Sequence, residues 1–119
     1  MPRDIVVEHP LDEKEIRKLD RQRWRKNGVA DLAEGFTLKP DGRAGGIYFR
    51  RGPQVLELYY ELSGDPAYDI LLWLRGLSEW ILPERASISS AEQPAIRAEL
   101  ERWLKENDTR AFFDETGTS

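Results

Sequence analysis

The residues able to do chemistry are few, and their spacing does not assemble them. The chain has one histidine, His9, and no cysteine. A Cys–His triad or a His/Cys zinc site needs further imidazole or thiolate partners beside that ring, and the sequence has none. His9 precedes Pro10 near the N-terminus and reads as a surface residue. Carboxylates are plentiful but badly spaced. Glu57 and Glu61 share one face of a strand, which puts them about 13 Å apart at ~3.3 Å per residue. Two carboxyls that flank a glycosidic bond lie at roughly 5–9.5 Å. Glu61, Asp65 and Asp69 lack the loop spacing of a calcium site. The stretch "DGRAGG" (residues 41–46) has no Gly-Lys-Ser/Thr and is no phosphate-binding loop; it reads as a hairpin turn. No catalytic residues, no metal site and no cofactor are expected, and the chain reads as a non-enzyme.

One stretch invites a nucleic-acid reading. "RKLDRQRWRKNG" places Arg17, Lys18, Arg21, Arg23, Arg25 and Lys26 on a helix with Trp24 among them. Cations and an aromatic ring can hold phosphates and stack on a base. Asp12, Glu13, Glu15 and Asp20 interrupt the cations, and pairs such as Glu13–Arg17 and Glu15–Lys18 consume part of the charge. No nucleic-acid partner is therefore expected. An accessory protein that binds nucleic acid through this helix stands as the third alternative.

The elements that must position these residues follow from length and pattern. The 119 residues suggest one domain, large enough to bury a core without disulfides. The absence of cysteine fits a reducing compartment. No apolar run reaches the ~18–20 residues of a membrane span, and the N-terminus lacks a signal peptide's apolar stretch. A cytoplasmic protein with no membrane partner is the expectation. Net charge is −4. Residues 1–26 hold eight Lys/Arg against six Asp/Glu, while residues 27–119 hold ten against sixteen. The acidic body aids solubility and attracts a basic partner.

"DIVVEHP" reads as a short strand or extended arm ended by Pro10. "LDEKEIRKLDRQRWRKNG" reads as a surface helix: Asp12 caps it, acids crowd its first turn, bases its last, and Gly28 follows. Its apolar stripe is thin (Leu11, Ile16, Leu19, Trp24). Strands follow at "GFTLKP", "GIYFRRG", "VLELYYEL" and "DILLWLRG", joined by turns at "DGRAGG", "RGPQ" and "SGDPAYD". In "VLELYYEL" the residues Leu56, Leu58, Tyr60 and Leu62 alternate onto one face. "ISSAEQPAIRAELERWLKEN" is a helix with a Ser89/Glu92 capping box and a stripe of Ile96, Leu100, Trp103 and Leu104. "TRAFFD" closes as a short strand. The expected fold is α+β: an antiparallel β-meander sheet packed against a C-terminal helix, with an additional N-terminal surface helix. The expected division is an arm and helix over 1–29, one α+β domain over 30–114 and a flexible tail over 115–119.

The strand Asp69–Arg75 is apolar on both faces. Tyr68, Ile70, Leu72 and Leu74 are expected to join the Leu56 face beneath the C-terminal helix. The other face would carry Leu71 and Trp73 near Val55 and Tyr59, rimmed by Glu57, Glu61, Asp69 and Arg75. An aromatic centre with a charged rim is the anatomy of many protein-binding patches. The expected partner-binding residues are Glu57, Tyr59, Glu61, Asp69, Leu71 and Trp73. The second cover of this face is the N-terminal helix, a partner, or a homodimer mate. Trp80, beyond Gly76, is expected to wedge under the helix entry as a core residue.

Tyr48, Tyr60-Glu61, Trp80 with Pro83, Ser89 to Glu92 and Arg110 to Phe113 form a recognisable series. A glycine-flanked hairpin leads to a strand ending in an aromatic and an acid; a Trp strand, a proline loop, a capped helix and a short strand follow. Over roughly residues 30–114 the chain resembles a small family of immunity proteins of bacterial polymorphic toxin systems. The resemblance implies an α+β inhibitor without enzymatic activity that binds a cognate toxin in the producing cell. The alternative is a protein-binding adaptor or regulatory subunit unrelated to toxins.

Overall fold

In the computed structural model, residues 12–115 are described; "DIVVEHP", His9, Leu11 and the last four residues of the expected tail lie outside them. The chain divides into two compact units, residues 1–30 and 31–119.

The first unit carries helix α1, Glu13–Lys26. Its start is the expected one. The Asp12 carboxylate accepts from the Glu15 N–H at 2.8 Å, and Glu15 reaches back to the Asp12 N–H. Two orphan donors are thereby satisfied reciprocally. The end follows from Gly28, whose φ of +62° is a left-handed conformation that glycine adopts without a Cβ penalty. No residue of α1 is buried, and Ile16 and Leu19 are about half exposed.

The second unit is a five-stranded sheet with one long helix. The strands β1 (Gly35–Asp41), β2 (Ala44–Arg51), β3 (Gln54–Leu62) and β4 (Ile70–Trp73) form an antiparallel meander. Two-residue turns join the first three. Gly42 and Gly52 take the positive φ that such turns demand at their first position. The expected turn "DGRAGG" is therefore shorter than its glycine content suggests: Gly45 and Gly46 belong to β2. Each lies against a tyrosine ring. A Cβ on Gly45 would meet the Tyr60 ring at 2.8 Å, and one on Gly46 would meet the Tyr48 ring at 2.8 Å. The two glycines make room for one aromatic on each face of the sheet.

The strand expected over Asp69–Arg75 is also shorter. It stops at Trp73, and residues Leu74–Ser78 form a 3-10 turn. Gly76 explains the stop: a Cβ there would collide with the Glu57 carbonyl oxygen, so the chain folds back onto β3. Leu74 and Leu77 are buried by this fold-back. A small ribbon of β5 (Glu79–Trp80) and β6 (Ala86–Ser87) leads to helix α2, Glu92–Glu106.

The hydroxyl of Ser89 accepts from the Glu92 N–H at 3.1 Å and donates to the Glu92 carboxylate. The expected capping residue thus acts one turn ahead of the helix rather than at its first position. Ile96, Leu100 and Leu104 are buried at helical spacing against Ile47, Leu56, Leu58, Ile70 and Leu72 of the sheet. Burial of each such side chain is worth about 1.5–3 kcal/mol. Trp103 stacks on Phe36 at 5.4 Å, Phe36 on Phe49 at 4.5 Å, and Phe49 faces Trp80 at 6.4 Å. Trp80 is a core residue, as its place in the sequence indicates. Leu62, at the end of the apolar run of β3, is instead 45% exposed.

After α2 the chain turns at Asp108 and enters β7, Ala111–Asp114. This last strand pairs with β4 in parallel, giving the order β1-β2-β3-β4-β7. Asp69 sets the register. Its carboxylate accepts the Arg110 N–H at 2.7 Å and the guanidinium at 3.2 and 3.3 Å. The fold is α+β, with a mostly antiparallel sheet, an N-terminal helix and a C-terminal helix. Among the described residues no helix is long and apolar enough to cross a membrane.

Candidate functional site

The face of the sheet away from α2 collects the partner-binding residues expected from the sequence. Strand β3 projects Glu57, Tyr59 and Glu61 there, and β4 projects Leu71 and Trp73. The β3–β4 register sets Glu61 opposite Leu71. The β4–β7 register sets Leu71 beside Phe112 and Trp73 beside Asp114. Side chains paired this way point to the same side of a sheet.

The centre is aromatic. The Tyr59 and Trp73 rings lie 5.2 Å apart at 47°, a tilted contact that holds both. Tyr68 meets Phe112 edge to face at 5.4 Å and 75°. Tyr59 is 47% exposed and Phe112 48%, while Leu71, Trp73 and Tyr68 are half-buried. The opposing residue on β2 is Gly46, and the Tyr48 ring of that strand lies over it. An open hollow of about 250 Å³ is lined by Tyr59, Trp73, Arg75 and Asp114.

The acids differ from one another. Glu61 accepts the Tyr59 hydroxyl at 2.9 Å. That bond, with lost hydration and the carboxylate charge, raises the Tyr59 pKa above its ordinary value. The same bond fixes the orientation of the phenol. Glu57 accepts the Tyr48 hydroxyl at 2.7 Å, and Tyr48 is fully buried. Asp69 is tied to Arg110, whose side-chain and backbone hydrogen bonds hold its carboxyl below the usual range. The structure thus groups Tyr59, Glu61, Leu71 and Trp73. Glu57 sits one pair back along β3, engaged with Tyr48, and Asp69 closes the end of β4.

Three contributors were missed from sequence: Tyr68, Phe112 and Asp114. Alternation puts Tyr68 on the core face with Ile70; it lies in the loop before β4 and turns to Phe112 instead. The face of Phe112 depends on the pairing of β7 with β4, which no local pattern encodes. The outer face can offer apolar contact, a few oriented polar groups and negative charge. Comparison with known proteins adds no relative: no family model matches the chain, and no curated protein or solved structure matches it either.

Proposed function

We propose that this chain is a non-enzymatic, cytoplasmic immunity protein that binds and neutralises a cognate bacterial polymorphic toxin. The reading takes its partner class from the resemblance over residues 30–114. The observation that carries the docking mode is the aromatic cluster on the sheet, in which exposed Tyr59 and Phe112 flank half-buried Trp73. Large aromatics held in place before binding lose little entropy when they dock, and such residues supply most of the energy of protein interfaces. Inhibition needs no chemistry; covering a toxin's working surface is enough. A stable interface buries roughly 800 Å² on each partner, more than this cluster alone, so neighbouring rim residues take part. Glu61 and the acidic body would steer a basic toxin and speed the encounter.

The test is affinity isolation from the native host, followed by titration of the captured partner. The expected result is a stoichiometric protein with a C-terminal toxin domain whose activity disappears at one equivalent of this chain. A partner without toxic activity, or one whose activity persists when saturated, overturns the proposal.

A further inference from the structure

Helix α1 carries seven Lys/Arg against three Asp/Glu within Glu13–Lys26. In sequence the acids interrupt the cations. Around the helix they do not. Lys14, Lys18, Arg21 and Arg25 follow an i, i+4, i+7, i+11 spacing, which puts them within an arc of about 60° at 3.6 residues per turn. No acid of the helix falls inside that arc. All four are exposed. Two ion pairs along α1 join Arg17 to Glu13 and Arg23 to Asp20, outside this stripe. Among the described residues none of the four makes an ion pair. The stripe runs about 16 Å, at 1.5 Å per residue.

We infer that this stripe binds the sugar-phosphate backbone of nucleic acid without regard to sequence. A straight row of unpaired cations, spaced by one helical turn, matches a row of phosphates. A lipid surface fits less well: an interfacial helix buries a broad apolar face opposite its cations, and the exposed apolar side of α1 offers only Ile16 and Leu19. The stripe holds only cations, with no amide or aromatic side chain among them, so affinity comes mainly from counterion release. This inference is independent of the toxin-binding reading, which uses the sheet.

The test is fluorescence anisotropy of the full chain with a labelled 20-nucleotide DNA, single-stranded and duplex, across a salt series. Four phosphate contacts give a slope of about −2.8 on single strands and about −3.6 on duplex in the log-log salt plot. Binding should therefore weaken roughly 50- to 150-fold between 50 and 200 mM salt. The variant K14Q/K18Q/R21Q/R25Q should lose binding at 50 mM salt. Glutamine keeps the helix, because its propensity is close to that of Lys and Arg. Should that variant unfold, K18Q/R21Q must halve the slope. R43Q/R85Q/R102Q/K105Q removes the same charge from the other unit and should keep most of the affinity. No binding at 50 mM salt overturns the inference, as does equal loss in the two quadruple variants. Capture by phosphatidylserine vesicles without binding to either DNA would overturn it too.

Discussion

Gly76 holds the turn that ends β4 and aims Trp73. A Cβ at this position would collide with the Glu57 carbonyl oxygen and stand 3.0 Å from Leu58 Cδ2. The oxygen belongs to the backbone of a central strand and cannot swing aside. Gly76→Ala must therefore push the 3-10 turn away from β3, lifting Leu74 and Leu77 out of full burial. Overpacking of this kind costs about 1–3 kcal/mol. A backbone collision belongs at the upper end, about 3 kcal/mol. At roughly 4 °C per kcal/mol for a domain near this size, Tm falls by about 12 °C. Gly64 provides the internal control. It has no positive φ, and nothing lies within 4 Å of its added Cβ. Gly64→Ala should be neutral or stabilising by up to about 1 kcal/mol, through a less flexible unfolded chain. Differential scanning calorimetry of the two variants separates the cases. Equal melting temperatures within about 2 °C would refute the steric argument.

Other outcomes follow from the site. The Asp69 carboxyl is held low in the folded chain, so its contribution is complete above about pH 4, the unfolded value, and fades as pH falls through the folded one. The gap in urea midpoint between wild type and Asp69→Asn should close as pH drops below about 4; a constant gap would contradict the Arg110 clamp. Glu61→Ala should bring the Tyr59 phenol back toward its ordinary pKa near 10, read by ultraviolet difference absorbance; an unchanged titration would remove Glu61 as the cause. Glu61→Lys should slow association with a basic toxin and flatten the salt dependence of kon, measured by stopped flow. An unaltered kon would mean that this acid does no steering.

Much of the fold was legible because it rests on local rules. Alternation in "VLELYYEL" fixed the core face of β3, Gly42 and Gly52 marked the hairpins, and the Asp12 and Gly28 caps bounded α1. What was hidden depends on distant contacts. That β7 lies parallel to β4 requires the Asp69–Arg110 bridge, across 41 positions. Once that pairing exists, Phe112 joins Leu71 on the outer face and Tyr68 follows it. The early end of β4 arises from a close approach of Gly76 to another strand, and Gly45 and Gly46 serve tyrosine rings rather than a turn. Of the candidate site, Tyr59, Leu71 and Trp73 were readable from alternation alone. The engagement of Glu57 with Tyr48 was not, since it needs the β2–β3 register. The stripe on α1 is encoded in its spacing, since the acids interrupt the cations along the chain but not around the helix.

On the proposed docking mode, the outer sheet face around Tyr59 and Trp73 meets the partner. The most direct test places a photo-crosslinking benzoylphenylalanine at position 59, and separately at position 102 on the exposed side of α2, and irradiates each complex with the captured toxin. The expected result is a crosslink from position 59 and none from position 102, with Trp73→Glu weakening the complex at least about 30-fold, as loss of an anchor worth about 2 kcal/mol requires. A crosslink from position 102 alone, or full affinity with Trp73→Glu in a folded chain, would contradict it.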